Sequence, residues 1–187
     1  MNQQNSVDFS SVYNIRRLKQ NELVKSFDCG DADLNDFILH ESPLYRQALL
    51  AVSYVLESKQ NNNTISAYFS LANDRVSLSD FDNKTGFNRF RKHRFVNEKR
   101  LKSYPAVKIC RLGVHTQAKG LHIGTFLLDF IKSYFLVDNK TGCRFLTVDA
   151  YADAIPFYIK NGFIPLNEND ADSFTRLLYF DLATIVE

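Results

Sequence analysis

Residues 106–128 read AVKICRLGVHTQAKGLHIGTFLL, the pattern of a strand, a short turn and a helix. The strand ends near His115, and the apolar side chains that follow recur with helical spacing, which predicts a helix over about 121–137. The first backbone N–H groups of a helix have no intrahelical acceptor, so they can hold a phosphate. Gly120 would let a ligand approach the backbone closely. A glycine before a helix is also a common turn, so the junction alone leaves both interpretations open.

The apolar pattern of this strand changes phase within the strand. Val107 and Ile109 share one phase of a period-two pattern, and a second phase is shared by Cys110, Leu112 and Val114. A β-bulge produces such a slip, and a strand that is buried on both faces gives a similar pattern. The sequence leaves these two alternatives open.

The segments on either side of the junction alternate between strand and helix patterns. One short helix is predicted to start near Asp31 and Asp33, which are both good capping residues. A second short helix is predicted over 153–162. Strands are predicted at 12–18, 49–58, 64–73, 143–150 and, as a terminal pair, 163–166 with 174–183. This order predicts a mixed α/β fold, a sheet with helices on its faces. Residues 74–103 are predicted to form a long connection or insertion with room for one short helix.

Composition excludes several classes of protein. No apolar run approaches the roughly 18 residues of a membrane span, and residues 1–11 lack the basic and apolar regions of a secretory signal. The cysteines, Cys29, Cys110 and Cys143, form no metal-binding pattern, so we expect reduced thiols, a cytoplasmic location and no metal site. The histidines lie in no nucleophile motif, which argues against Ser/His/Asp or Cys/His catalysis.

The net charge of +2 conceals an uneven distribution of charge. Residues 84–102 carry one acidic side chain, Glu98, against eight basic ones: Lys84, Arg89, Arg91, Lys92, Arg94, Lys99, Arg100 and Lys102. Such a segment could bind RNA phosphates, and three aromatic side chains within it could stack on bases: Phe87, Phe90 and Phe95. The alternative is a solvated loop, because most charge runs are solvated.

Two motifs resemble those of the GNAT superfamily of N-acetyltransferases. Residues 117–122, QAKGLH, resemble its acyl-CoA pyrophosphate loop, Arg/Gln-x-x-Gly-x-Gly/Ala. Gln117 and Gly120 match, whereas His122 stands where glycine or alanine is usual; the larger side chain keeps the backbone N–H that the family uses but would crowd the phosphate. Residues 154–163, AIPFYIKNGF, are similar to the family pattern A-x-x-F-Y-x-x-x-G-F.

A third stretch resembles one GNAT subgroup. Residues 27–41, FDCGDADLNDFILHE, look like the F-x-C-G-x-x-x-L-x-x-F/Y-L start of that subgroup. Its members are often bacterial toxins that pair with a small DNA-binding antitoxin and acetylate the amino group of aminoacyl-tRNA. The resemblance covers most of residues 12–183 and is weakest over 74–103.

The resemblance implies a single GNAT domain over residues 1–187, with the basic insertion or connection at about 74–103. Its mostly antiparallel, twisted sheet would splay between two parallel strands, 106–115 and 144–150, and acetyl-CoA would lie in that opening. The cofactor-binding positions implied are Leu112, Gly113, Val114, Gln117, Ala118, Lys119, Gly120, Leu121, His122, Ile123 and Gly124.

The resemblance also implies a mechanism without a metal or a nucleophilic residue. A neutral amine attacks the thioester, the Val114 N–H stabilises the oxyanion, and Tyr158 protonates the departing thiolate. Asp149 could be a general base or a cap for the following turn. Because no other carboxylate stands out, the sequence fits an α-amino acceptor, which loses its proton more easily than a lysine does.

The expected partners follow from the same resemblance. They are an amine acceptor, which would be aminoacyl-tRNA bound through residues 84–102, an antitoxin protein and a second copy of the chain. Two alternatives remain: a GNAT enzyme that acetylates a small-molecule or protein amine, and a non-catalytic binding domain, which only His122 favours.

Overall fold

The computed structural model describes residues 9–61, 63–96, 100–168, 170 and 173–186. Residues 1–8, on which the expectation about a secretory signal rests, lie outside these ranges, as do Glu98 and Lys99 of the basic segment. The strands are β1 (Tyr13–Arg17), β2 (Val52–Ser58), β3 (Ile65–Ser77), β4 (Ser103–Val114), β5 (Phe145–Tyr151), β6 (Ile164–Pro165) and β7 (Thr175–Asp181). The α-helices are α1 (Phe9–Val12), α2 (Ala32–Asp36), α3 (Ser42–Gln47), α4 (Lys84–Lys92), α5 (Ile123–Leu136) and α6 (Ile155–Lys160).

The strands form a seven-stranded mixed sheet in the order β1-β2-β3-β4-β5-β7-β6. β4 and β5 run parallel, with Ala106 opposite Phe145 and Lys108 opposite Thr147. The pairs β1–β2, β2–β3, β5–β7 and β6–β7 are antiparallel. The predicted mixed α/β fold is confirmed, and so is the prediction that the strands at 106–115 and 144–150 are the parallel neighbours.

The chain divides into two compact units. The first unit comprises the residues up to Leu71 together with Arg111–Leu127, and the second comprises Ala72–Cys110 together with the residues from Leu128 onward. Strands β3 and β4 and helix α5 contribute residues to both units.

In the first unit, the predicted helix near Asp31 begins as the sequence indicates. The Asp31 carboxylate accepts a hydrogen bond from Leu34 N at 2.9 Å, which caps α2. A single π-helical segment, Phe37–Glu41, connects α2 to α3. Phe37 and Ile38 are buried in the core of this unit, which also contains Phe27, Val55 and Tyr68 among other side chains.

Gly113 of β4 is packed tightly against that core. A Cβ at this position would lie 2.7 Å from Tyr68 Cε1 and 3.3 Å from Phe27 Cε1, so even one methyl group would displace an aromatic ring. We expect Gly113→Ala to lower the free energy of unfolding by about 1–3 kcal/mol, the usual cost of overpacking a core. Urea denaturation measures this change in the free energy of unfolding. Gly120→Ala is the control for an added Cβ that meets no atom within 4 Å, and its loss comes only from backbone strain at a positive φ. A Gly113→Ala protein as stable as the wild type would contradict this packing.

In the second unit, residues 74–103 contain the one short helix for which the prediction left room, and β3 extends further into this segment than expected. β3 extends to Ser77, a 3₁₀ turn follows at Leu78–Asp80, and α4 occupies Lys84–Lys92. Phe87 and Phe90 are only 3% and 7% exposed, and Phe95 packs against the same core. The prediction that these rings offer a stacking face for RNA bases is therefore wrong, because helical spacing turns Phe87 and Phe90 inward together.

Strand β4 is buried on both faces ahead of the phase slip between Ile109 and Cys110, and Cys110, Leu112 and Val114 beyond it are half-buried. The neighbours Ala106 and Val107 point to opposite faces, and both are buried. Double-sided burial is the second of the two interpretations; a bulge in β4 stays a prediction. Cys29, Cys110 and Cys143 are free thiols, as expected. None of the helices in the described ranges has the length and apolar character needed to cross a membrane.

Candidate active site

The loop between β4 and α5 carries a row of backbone donors. Gly120 and His122 have positive φ values of 82° and 59°, and α5 begins at Ile123. Within the described part of the chain, the backbone N–H groups of Gly120–Gly124 have no hydrogen-bond acceptor. A Cβ on Gly120 would meet no atom within 4 Å, so the backbone is open to a ligand there. Unpaired N–H groups at the start of a 14-residue helix fit the phosphate groups of acetyl-CoA.

The start of this loop is held by hydrogen bonds within the first unit. His115 N donates to Ser66 O at 2.9 Å, and Thr116 N donates to Asp28 O at 2.8 Å. Ala118 N donates to His115 O at 2.8 Å, and Gln117 N approaches His115 Nδ1 at 3.2 Å. These hydrogen bonds fix residues 115–118, which lead directly to the unpaired N–H groups of Gly120–Gly124, called the donor row below.

The side chains of the loop divide into anchors and exposed groups. Ala118 and Ile123 are buried and fix the two ends of the loop. The exposed positions are Gln117, Lys119, Gly120, Leu121 and His122. Leu112, Gly113 and Val114 precede the loop in β4, so the structure brings all the predicted cofactor-binding residues together in the first unit. Whether they bind the cofactor stays a prediction.

A pocket of about 420 Å³ in the first unit adjoins the loop. Its lining is rich in hydrogen-bonding groups and includes Lys25, Ser26, Thr64, Ser66, His115 and Gln117. Sequence reasoning missed this pocket, because its walls come from four separate stretches of the chain.

His122 occupies a backbone conformation that costs an L-amino acid about 1–2 kcal/mol and that glycine adopts freely. We expect His122→Gly to keep or raise the free energy of unfolding, by up to about 1 kcal/mol. Lys119 is the matched control, because it is exposed in the same loop but has a φ of −64°. Lys119→Gly should lower stability by about 0.5–1 kcal/mol. Thermal unfolding of the two variants distinguishes them, and equal losses would contradict strain at His122.

Tyr158 lies in α6, in the second unit, and is only 7% exposed. Its ring packs edge-on against Phe157 and Phe163, with ring centroids 5.2 and 5.4 Å away. Burial raises the pKa of the phenol above its usual value. No hydrogen bond links the Tyr158 hydroxyl to another residue of the described ranges. Tyr158 is therefore a protonated phenol whose hydroxyl is not committed to a partner in those ranges.

The end of α6 is fixed by contacts that sequence reasoning missed. Lys132 Nζ donates to Asn161 O at 2.8 Å, and its ammonium lies 4.6 Å from the Phe180 ring centroid. Asn161 Nδ2 donates to Phe157 O at 2.8 Å. Gly162 ends the helix with a φ of 84°, as the sequence predicts. These contacts hold the short helix that carries Tyr158.

Asp149 serves neither as a turn cap nor as a free carboxylate. It lies inside β5 and forms an ion pair with Lys108 of the neighbouring strand β4. Burial alone would lower the pKa of the Lys108 ammonium, but Asp149 and Asp74 outweigh burial and hold that pKa above its usual value. The prediction that Asp149 caps the following turn is wrong, and its pairing with Lys108 argues against a role as general base.

Solved structures with the same fold are numerous, and three illustrate the match. A Tyr-to-Phe mutant of KacT superposes with a TM-score of 0.73 at 20% sequence identity, over 94% of this chain and 98% of that one. AtaT complexed with acetyl-methionyl-tRNAfMet gives 0.69 at 21% identity, over 93% and 97% of the two chains. AtaTR bound with acetyl-CoA gives 0.69 at 22% identity, over 94% and 97%. At these identities the likeness establishes the fold.

The family assignment rests on sequence. No sequence among curated proteins matches this chain. The family profile described as Acetyltransferase (GNAT) domain matches residues 86–179, which is half of the chain and includes the donor loop and Tyr158. The chain therefore belongs to the GNAT family of acetyltransferases, whose acetyl donor is acetyl-CoA.

Proposed function

We propose that this protein moves the acetyl group of acetyl-CoA to the α-amino group of an aminoacyl-tRNA. The observation that carries the cofactor part of this proposal is the row of unpaired N–H groups at Gly120–Gly124. These groups would bind the pyrophosphate of acetyl-CoA, and Leu112, Gly113 and Val114 would offer backbone groups to its pantetheine arm. The single GNAT domain over residues 1–187 is part of the same proposal.

In the proposed reaction the amine nitrogen attacks the thioester carbonyl directly. The Val114 N–H would stabilise the oxyanion that forms, and the amine proton leaves to solvent. The C–S bond then breaks, and the thiolate of CoA takes a proton from the Tyr158 hydroxyl, which regains one from solvent. Burial raises the pKa of Tyr158, so the proton that this step requires is present on the phenol in neutral and mildly alkaline solution.

The basic segment supports an RNA acceptor through its charges alone. Three of its arginines have partners inside the protein: Arg91, Arg94 and Arg100. Four cations of the described part are exposed: Lys84, Arg89, Lys92 and Lys102. Three of these cations lie on α4, which Phe87 and Phe90 anchor to the core, so that this helix would hold their charges in fixed positions for phosphates.

Two further observations favour the α-amino group of a charged tRNA. An α-amino group needs little help to lose its proton, and Asp149, the one carboxylate considered as a base, is paired with Lys108. Among the proteins with the same fold, AtaT has been solved in complex with acetyl-methionyl-tRNAfMet. A mutant of AtaT, described as a toxin, has been solved bound to the C-terminus of the antitoxin AtaR. By analogy we include an antitoxin partner and a cytoplasmic location in the proposal. We also propose that two copies of the chain form a homodimer.

Incubation of the protein with acetyl-CoA and a mixture of aminoacylated tRNAs tests the acceptor. Mass spectrometry of the released aminoacyl-adenosines should show a gain of one acetyl group on the amino acid. Uncharged tRNA and a lysine-containing peptide serve as controls and should remain unmodified. Acetylation of the peptide lysine but of no charged tRNA would replace the RNA acceptor with a protein amine.

A further inference from the structure

We propose that Asp28 and Asn35 form a clamp that positions the cofactor loop, so that Asn35 is a positioning residue for acetyl-CoA. The inference rests on the proposed function, because it assumes that Gly120–Gly124 bind the pyrophosphate. It assigns a role to the FDCGDADLN stretch, which the mechanism otherwise does not use.

The clamp consists of the Asp28 and Asn35 side chains, which bond to each other and to the turn at residues 28–30. Asp28 Oδ1 accepts from Gly30 N at 2.8 Å and from Asn35 Nδ2 at 3.0 Å. Asn35 Oδ1 accepts from Cys29 N at 2.9 Å and from Cys29 Sγ at 3.2 Å. Asn35 therefore bonds to Asp28 through its amide nitrogen and to Cys29 through its amide oxygen.

The clamp is not needed to cap the helix. Asp31 already fulfils that role by accepting from Leu34 N, and the backbone of Asn35 bonds to Asp31 O at 3.0 Å. The Asn35 side chain instead points back to the turn at residues 28–30. Its contribution is thus to the shape of that turn.

The turn contacts the cofactor loop directly. Thr116 N donates to Asp28 O at 2.8 Å, just ahead of the donor row. A Cβ built on Gly30 would lie 3.4 Å from Lys119 Nζ and 3.6 Å from Thr116 Cγ2. The φ of 81° at Gly30 lies in the left-handed region that favours glycine. A shift of the turn would displace the acceptor of Thr116 N, and Thr116 lies four residues before the first of the phosphate-binding N–H groups. Because both segments belong to the first unit, this link is local.

The test compares two ligands that share the pantetheine arm. CoA contains the pyrophosphate and pantetheine does not, so only CoA reports on the donor row. Asn35→Ala should raise the Kd for CoA about tenfold in calorimetry, a loss of about 1.4 kcal/mol. The Kd for pantetheine, from NMR titration, should stay within about twofold of the wild-type value. A merely structural role for Asn35 would weaken both ligands, and an unchanged Kd for CoA would overturn the clamp.

Three further variants complete the experiment. Asn35→Asp preserves volume but places a second carboxylate against Asp28, and should weaken CoA as Asn35→Ala does, even if the alanine variant folds poorly. Asp28→Asn retains an acceptor for Gly30 N and should keep CoA affinity within about threefold. Asp36→Ala, an exposed position of α2, should leave the Kd for CoA unchanged. Failure of the wild-type protein to bind CoA would instead refute the proposed function and not the clamp alone.

Discussion

Tyr158→Phe is expected to lower kcat for acetyl transfer by about 10² to 10⁴-fold, the usual contribution of a general acid. The change removes one hydroxyl from a ring that is held by Phe157 and Phe163, so the fold and the site for acetyl-CoA should persist. The Kd for acetyl-CoA should therefore change by less than about twofold. Single-turnover kinetics with a saturating donor separate the two effects.

The alkaline pH profile adds a second readout for the same residue. Burial raises the pKa of Tyr158, so the protonated form that donates to the thiolate persists above the ordinary tyrosine value of about 10. We expect no decline of the wild-type kcat from this group up to that pH. Tyr45→Phe, at an exposed position, is the matched control and should retain full activity. A Tyr158→Phe enzyme with more than half of the wild-type kcat would exclude the acid role.

Reversal of three charges on α4 should have the second largest effect. We expect kcat/KM for charged tRNA to fall about 100-fold near 0.1 M salt in the triple variant Lys84→Glu, Arg89→Glu and Lys92→Glu. The reason is that each cation contributes to phosphate binding and counterion release. KM for acetyl-CoA should stay unchanged. These side chains are exposed and Phe87 and Phe90 are untouched, so stability should change little.

The control for this surface reverses two exposed cations at another place, Arg17→Glu with Lys19→Glu. This double variant should reduce kcat/KM for charged tRNA far less than the α4 variant does. The wild-type rate should also fall with salt more steeply than that of the α4 variant. Equal salt dependence in both proteins would place the RNA on a different surface.

The sequence predicted those parts of the structure that depend on local patterns. The strand, turn and helix around Gly120 and the helix that ends at Gly162 follow from spacing and turn chemistry, and the structure confirms them. The family pattern indicated Tyr158, but its burial and raised pKa come from ring packing that spacing alone does not reveal.

Other features depend on pairings between distant residues. Lys108 meets Asp149 only because β4 and β5 lie side by side in a particular register, 41 residues apart in sequence. The charge of residues 84–102 favoured an RNA-stacking role for Phe87 and Phe90, whereas the helix α4 turns both rings into the core. The clamp of Asp28 and Asn35 could not be inferred either, since its target, Thr116, is far along the chain.

Isothermal titration of the wild-type protein with acetyl-CoA tests the central claim most directly. We predict saturable binding with a Kd in the micromolar range, and loss of most of that affinity with pantetheine, because the donor row at Gly120–Gly124 would hold the pyrophosphate. Absence of binding at millimolar acetyl-CoA would contradict the account and would mean that His122 closes the loop to the cofactor.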